Sequence, residues 1–306
     1  MIVCQSLTKR YGSLHALDSL DLEISGNEPV GLVGANGAGK STLFAILCGF
    51  VKPTAGKISI FDKPVDSIQL KGKISILPQD VNMFRNLSVY QQLCHFARLQ
   101  GFDKHAAKQE SERVLSLIDI RQLGKQYPET LSFGQRKKVM LAQALIGNPE
   151  LILLDEPTSG LDPVAVNDIH KLFGEIASNS RLIISSHNLA EIEDICQQIV
   201  VLNKGKLIKT SNINELKNSN QCFRIRLDAP IEADIANIFS TIDAIEQVEI
   251  NDADKRILQI YFTGSEANEI QIQIINVLHA NQLNMIEISR GATLADEVSE
   301  LLRSSN

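Results

Sequence analysis

The residues with the clearest chemical potential in this 306-residue chain are Lys40 and Ser41, which sit in the run Gly34-Ala35-Asn36-Gly37-Ala38-Gly39-Lys40-Ser41-Thr42. Glycines at 34, 37 and 39 let the backbone curl so that successive N–H groups point inward, and a helix beginning at the end of the loop adds its positive end. The product is a cradle for a polyphosphate. Lys40 can reach the outer phosphates, and the Ser41 hydroxyl can bind Mg²⁺. A dinucleotide-binding turn fits poorly, because Gly37-Ala38-Gly39 is followed by Thr42 where a third glycine is required. A second pair, Asp155 and Glu156, closes the apolar run Leu151-Ile152-Leu153-Leu154. Given a phosphate-binding loop upstream, Asp155 is placed to hold Mg²⁺ and Glu156 is free to handle an attacking water.

The flanking sequence says what must position these groups. Val30 to Val33 is a short apolar run, and Leu43, Phe44, Ile46 and Leu47 lie on one face at helical spacing until Gly49, so the loop joins a strand to a helix. Leu151 to Leu154 reads as a strand buried on both faces, with its carboxylates where open α/β sheets bind ligands. Ile74 to Leu77 and Leu182 to Ile184 are further buried strands; the first is broken by Pro78 and followed by Gln79, and the second ends in Ser185-Ser186-His187. A histidine at such a strand end can be structural or functional. Within Leu131-Ser132-Phe133-Gly134-Gln135, Ser132 is an N-cap candidate for a helix carrying Val139, Ala142, Leu145 and Ile146, and the loop is either a plain cap or an anion site. Asp162 lies in the turn-forming run Pro157 to Pro163, ahead of an amphipathic helix marked by Val166, Ile169, Phe173 and Ile176. Tyr11 falls in a loop between strands at Ile2 to Leu7 and Leu20 to Ile24, where it can stack on a purine or simply pack. Ser88 and Gln91 form a capping box, and residues 85–145 read as an inserted all-helical lobe with no sustained heptad.

Composition narrows the class. Hydrophobic residues make up 44% and charged residues 22%, as in ordinary globular chains, and a net charge of −6 argues against broad nucleic-acid binding. The five cysteines are scattered, without metal-type spacing, and read as reduced core thiols of a cytosolic protein. No secretory signal is expected at Met1 to Arg10, and no stretch is apolar over the roughly eighteen residues a membrane helix needs. The polar stretch Asn212 to Gln221 marks a boundary. Beyond it the pattern predicts strand (Phe223 to Leu227), helix (Ile231 to Ile242), strands (Ala244 to Ile250, Arg256 to Phe262), helix (Glu266 to Ala280), strand (Met285 to Ile288) and a last helix (Thr293 to Leu302). The order βαββαβ is that of a ferredoxin-like sandwich.

Taken together, the motifs over residues 1–215 resemble the nucleotide-binding subunit of the ABC ATPases. The resemblance implies a P-loop α/β fold with a mixed sheet, an antiparallel β subdomain and the helical lobe at 85–145, followed by a small α+β accessory domain at 222–306. It makes Tyr11 the adenine-stacking aromatic, Gly34 to Thr42 the Walker A loop, Gln79 the glutamine that senses metal and water, and Asp155 and Glu156 the Walker B pair. Leu131 to Gln135 becomes the signature loop, with Phe133 where glycine is usual, Asp162 the D-loop aspartate and His187 the switch histidine. It further implies head-to-tail dimers, either a homodimer of this chain or a heterodimer with a second ABC ATPase. In these, ATP with Mg²⁺ at Ser41, Gln79 and Asp155 of one chain is completed by Ser132, Phe133, Gly134, Gln135 and Asp162 of the other, while Glu156, His187, Gln79 and Lys40 serve hydrolysis. In transporter members a membrane permease docks near Gln79 to Val89, which would hold the chain on the cytoplasmic face of the membrane. Leu294-Ala295-Asp296-Glu297-Val298 is similar to the C-terminal helix of short bacterial exporter ATPases. A soluble ATPase acting on ribosomes or nucleic acid is the alternative. It lacks support from a second ATPase domain or from long coiled coils between the motifs.

Overall fold

The computed structural model describes residues 1–306 apart from 81–82, 219–220, 232–234, 252–253, 265, 292–293 and 305–306. The chain divides into two compact units, residues 1–211 and 212–304.

In the first unit, strands β1 (Ile2–Tyr11), β2 (Leu14–Ile24), β4 (Ala55–Ile60) and β5 (Lys63–Pro64) form a four-stranded sheet in the order β2-β1-β4-β5, antiparallel throughout. Its half-exposed strands alternate, with Leu20, Leu22 and Ile24 buried and Asp21 and Glu23 exposed. Tyr11 is not in a loop. It ends β1, opposite Leu14, because the β1–β2 hairpin continues further than the apolar alternation alone suggests.

A six-stranded sheet runs β10-β9-β3-β8-β7-β6 and comprises β3 (Val30–Val33), β6 (Ile74–Leu77), β7 (Leu151–Asp155), β8 (Arg181–Ser185), β9 (Gln198–Asn203) and β10 (Lys206–Asn212). The pairs β6/β7, β7/β8, β8/β3 and β3/β9 are parallel, with Leu77 opposite Leu154, Asp155 opposite Ser185 and Ser185 opposite Leu32. Parallel register brings the ends of β3, β6, β7 and β8 to one edge. The helices of this unit are α1 (Lys40–Leu47), α2 (Val89–Leu99), α3 (Lys104–Leu117), α4 (Phe133–Ala144), α5 (Pro163–Ala177) and α6 (Leu189–Ile195). Helix α1 buries Leu43, Phe44, Ile46 and Leu47 in a core shared with Leu32, Leu153, Ile183 and Val200. Helices α2 to α4 form the helical lobe. Ser88 and Gln91 make a reciprocal capping box on α2, and Asp103 caps α3 by accepting from the His105 and Ala106 amides.

The second unit begins with α7 (Ile213–Asn218), where the sequence suggests only a polar boundary, part of which lies outside the described residues. Strands β11 (Cys222–Leu227), β12 (Ile245–Ile250), β13 (Ile257–Phe262) and β14 (Met285–Arg290) form an antiparallel sheet in the order β12-β13-β11-β14, which is ferredoxin-like. Helix α8 (Ala267–Ala280) buries Ala267, Ile270, Ile274 and Leu278 against it, and α9 (Leu294–Ser304) closes the unit. The helix expected from Ile231 to Ile242 is instead a single 3-10 stretch at Ile235–Phe239, with 232–234 outside the described residues. The Ser240 and Ile242 amides donate to the Asn237 and Phe239 carbonyls three residues back, and the Ser240 hydroxyl takes the Asn237 carbonyl too. A hydroxyl competing for the Asn237 carbonyl stands where the described stretch ends. Thr293, expected to open the last helix, lies outside the described residues.

Candidate functional site

The loop from Gly34 to Gly39 follows β3 and has to double back sharply before α1. At Gly39, with φ 107°, a Cβ would lie 2.6 Å from the Ala16 carbonyl oxygen and 2.8 Å from a Leu17 methyl. At Gly34 it would lie 2.3 Å from the Leu202 carbonyl oxygen. Neither position admits a side chain, so these two glycines are demanded by packing as well as by backbone angle. Gly39 caps α1 without a side-chain bond. The helix therefore offers its N-terminal amides to the cleft in front of it.

That cleft holds about 400 Å³ and is lined by Tyr11, Leu14, Ala16, the run Asn36 to Thr42, Gln79, Asp155 and Glu156. Lys40 is buried and donates through Nζ to the Gly34 carbonyl at 2.7 Å and the Ala35 carbonyl at 3.3 Å. Burial lowers its pKa, and Glu156 and Asp155 oppose that shift. Ser41 donates its hydroxyl to Asp155 Oδ2 at 2.9 Å. Asp155 accepts in turn from the Ser185 hydroxyl through its other oxygen. The strand register that sets Asp155 opposite Ser185 therefore also fixes the carboxylate that faces Ser41.

Glu156 has φ 50°, a left-handed conformation rare for a residue with a side chain. Its amide is anchored on the Ser185 carbonyl at 3.1 Å and hydroxyl at 3.2 Å. His187 lies 2.8 Å through Nδ1 from Glu156 Oε2 and is otherwise largely open, with 69% of its side chain exposed against 11% for Glu156. A buried carboxylate steered by an imidazole at the mouth of a phosphate cradle can orient a water, with the histidine poised beside developing charge.

The remaining sequence candidates lie elsewhere. Ser132 and Gln135 form a reciprocal capping box at the start of α4: the Ser132 Oγ accepts from the Gln135 amide at 3.2 Å, and Gln135 Oε1 accepts from the Ser132 amide at 2.9 Å. Phe133 is half exposed, and its ring packs on Gly160, where a Cβ would be 3.1 Å from it. Asp162 caps α5 by accepting from the Val164 and Ala165 amides, each at 3.0 Å. None of Ser132, Phe133, Gly134, Gln135 or Asp162 lines the cleft of its own chain. Tyr11 does, half exposed, with Lys9 Nζ 5.0 Å above its ring. Sequence reasoning missed Leu14 and Ala16, which reach the cleft through the β1–β2 hairpin. It also missed the role of Ser185, which pairs directly opposite Asp155; its place at the end of the apolar run Leu182 to Ile184 was the available signal.

The ABC transporter family model matches residues 17–159. Over 220 residues the chain is 34% identical to the uncharacterized ABC transporter ATP-binding protein YhaQ of Bacillus subtilis, covering 72% of this chain and 74% of YhaQ. It is 34% identical to the lipopolysaccharide export system ATP-binding protein LptB of Escherichia coli K12 over 234 residues, 74% of this chain and 96% of LptB. A further relative is the methionine import ATP-binding protein MetN 1 of Acinetobacter baylyi, 32% identical over 69% of this chain and 63% of MetN 1. Among solved structures, cbiO1 of Clostridium perfringens, part of the ABC transporter complex cbiONQ, superposes with a TM-score of 0.62 at 32% identity, over 69% of this chain and 88% of that one. The phosphate cradle, the acidic pair and these likenesses agree, and the chain belongs to the ATP-binding, ATP-hydrolysing proteins of ABC transporters.

Proposed function

We propose that this chain is the ATPase of a membrane exporter and works as a head-to-tail dimer with a shared nucleotide between its subunits. The observation that supports this reading most is the split of the functional groups. Lys40, Ser41, Gln79, Asp155 and Glu156 converge on one cleft with His187 at its mouth, while the capped Ser132–Gln135 loop stands outside it, free to cover a second subunit's cleft.

The residues present fit ATP with Mg²⁺. The cradle is empty of side chains at Gly34 and Gly39, Lys40 is held within it by carbonyls rather than by a salt bridge, and the Ser41 hydroxyl and Asp155 carboxylate present hard oxygen donors side by side. Ser41, Gln79 and Asp155 would hold the ion, which supplies charge neutralisation across the outer phosphates. Lys40 binds the phosphate chain and can exchange its carbonyl partners for phosphate oxygens. Tyr11 offers its open face to the base. Glu156 orients the attacking water and draws its proton toward Oε, and His187 supplies a donor toward the phosphate. Ser132 and Gly134 of a second subunit complete the binding of the outer phosphate, so loss of that phosphate removes what joins the subunits.

Residues 1–215 form the working ATPase domain and 222–306 an accessory domain for regulation or partner docking. No helix of the described residues is long and apolar enough to cross a membrane. In our reading the stretch Gln79 to Val89, of which 81–82 lie outside the described residues, receives a permease that keeps the chain at the cytoplasmic face of the membrane. Export rather than import is supported by the likeness to LptB and by the helix that starts at Leu294. Affinity purification of the full chain from membranes, followed by transport assays in vesicles made with the co-purified permease, tests this. ATP-dependent efflux is the expected result, and uptake or recovery on ribosomes would overturn it.

A further inference from the structure

Lys137 has no part in the chemistry described so far, yet it is 4% exposed on α4. Its Nζ lies 3.3 Å from the Gln79 carbonyl oxygen and 3.3 Å from the Glu156 carbonyl oxygen. An ammonium group is buried at considerable cost unless its donors are used. Burial lowers the Lys137 pKa, while the nearby charges of Asp80, Glu156 and Asp155 oppose the shift.

The two carbonyls belong to one structural level. Leu77 pairs with Leu154 across β6 and β7, so Gln79 and Glu156 each lie two residues past a matched pair. The β6/β7 ladder ends at the Leu77–Leu154 pair, so among the described residues no ladder bond joins the main chains of Gln79 and Glu156. Lys137 bridges the gap. Glu156 is the residue with φ 50°; its amide is anchored by Ser185, and its carbonyl accepts from Lys137 on α4 as well as from the Ser159 amide of the following turn. Both peptide planes around a rarely adopted conformation are thus held from outside. The helix that carries the ammonium is also the one capped by Ser132, so the anchor and the loop proposed to meet a second subunit move together as parts of α4.

We propose that Lys137 is a positioning residue for ATP hydrolysis, clamping the main chain of Gln79 and Glu156 together and making their placement depend on how α4 is seated. The inference rests on the ATPase reading of the cleft. Wild-type protein without ATPase activity would count against that reading, whereas the variants below, compared with an active wild type, count for or against Lys137.

Lys137→Met removes the donors at similar length, and Lys137→Arg keeps them. The full-length proteins are compared by steady-state ATPase assay and by equilibrium binding of a fluorescent ATP analogue. The expected result for Lys137→Met is a kcat lowered about tenfold, with KM and analogue Kd within about twofold of wild type, since displacement of a catalytic group by a fraction of an ångström acts on the chemical step. Lys137→Arg should return to within about threefold of the wild-type kcat. A Lys137→Met kcat within twofold of wild type overturns the proposal, as does an equal loss in both variants or a rise in KM with kcat unchanged. If Lys137→Met shows no cooperative unfolding transition, Lys137→Gln replaces it in the same comparison under the same criteria.

Discussion

In the N-terminal unit Lys40, Lys137, Asp155, Glu156, Thr158, Ser185, Ser186 and Glu191 are all buried, whereas the interior of the C-terminal unit is built from Phe223, Ile225, Phe239, Leu258, Ile260, Phe262 and Ile274, with Gln259 and Glu297 buried and polar among its described residues. Each of the eight groups named for the first unit has a hydrogen-bond partner. Glu191, for example, accepts from the Thr158 hydroxyl, from the Ser186 hydroxyl at 2.9 Å, and lies 3.3 Å from His170 Nε2. Such a network is costly to leave half satisfied, so it fixes positions sharply. The second unit is held mainly by apolar burial and ring stacking, with the Phe223 and Phe262 rings 4.9 Å apart. Chemistry requires the first arrangement, and a compact partner or sensor domain can be made with the second.

The contrast can be broken most directly at Glu156. Glu156→Gln keeps the shape but removes the carboxylate that orients water, and ATPase kcat should fall about a hundredfold or more. Size-exclusion chromatography with ATP should show dimers accumulating; an undiminished rate would remove Glu156 from the mechanism. In the C-terminal unit, Phe239→Ala empties a fully buried site and should destabilise that unit by about 3–5 kcal/mol. Urea unfolding of the full chain, followed together with ATPase rate, should show an earlier transition for this unit and a rate within twofold of wild type. A parallel loss of rate would show that the two units are not energetically separate.

A smaller effect is expected at the α4 cap. Ser132→Ala removes one acceptor for the helix amides and should cost about 1 kcal/mol of stability in thermal unfolding. If Ser132 also meets ATP across a dimer, the ATPase rate will fall by more than that loss explains.

The smallest effect compares thiols. Burial pushes Cys4, Cys48 and Cys196 up to about 12, and Cys222 of the C-terminal unit up to about 11. The folded thiols therefore stay protonated where unfolded ones ionise. Their contribution to stability is full below the unfolded thiol pKa near 8.5 and is lost as pH rises toward the folded values. Iodoacetamide labelling of the folded protein read by mass spectrometry should leave the buried Cys4, Cys196 and Cys222 unmodified at pH 8, and all four should label once the chain is unfolded. Labelling of Cys4 or Cys222 in the folded protein at pH 8 would overturn this expectation.

Local pattern was enough for much of the chain. The run from Gly34 to Thr42 carries its geometry in its residue types, since glycines, a lysine and a helix start admit few other arrangements. The capping box at Ser88 and the N-cap at Ser132 were legible for the same reason: a serine hydroxyl accepts from an amide of the first helical turn, so the bond needs only local spacing. Patterns failed where a competing local bond or a distant strand decided. Ser240 takes the Asn237 carbonyl where the described 3-10 stretch Ile235–Phe239 ends, inside the helix expected from Ile231 to Ile242, and the extended hairpin drew Tyr11 out of its loop into β1.

The sequence by itself determined which groups this protein could bring to a phosphate chain, because each motif is contiguous and its chemistry follows from residue type and spacing. Only the tertiary structure decided how those motifs meet. Strand register set Asp155 against Ser185 and Ser41, placed His187 on Glu156 and brought Lys137 between Gln79 and Glu156. Those contacts join residues far apart in the chain, and their distances are set by parallel pairing and core packing, which no local pattern encodes.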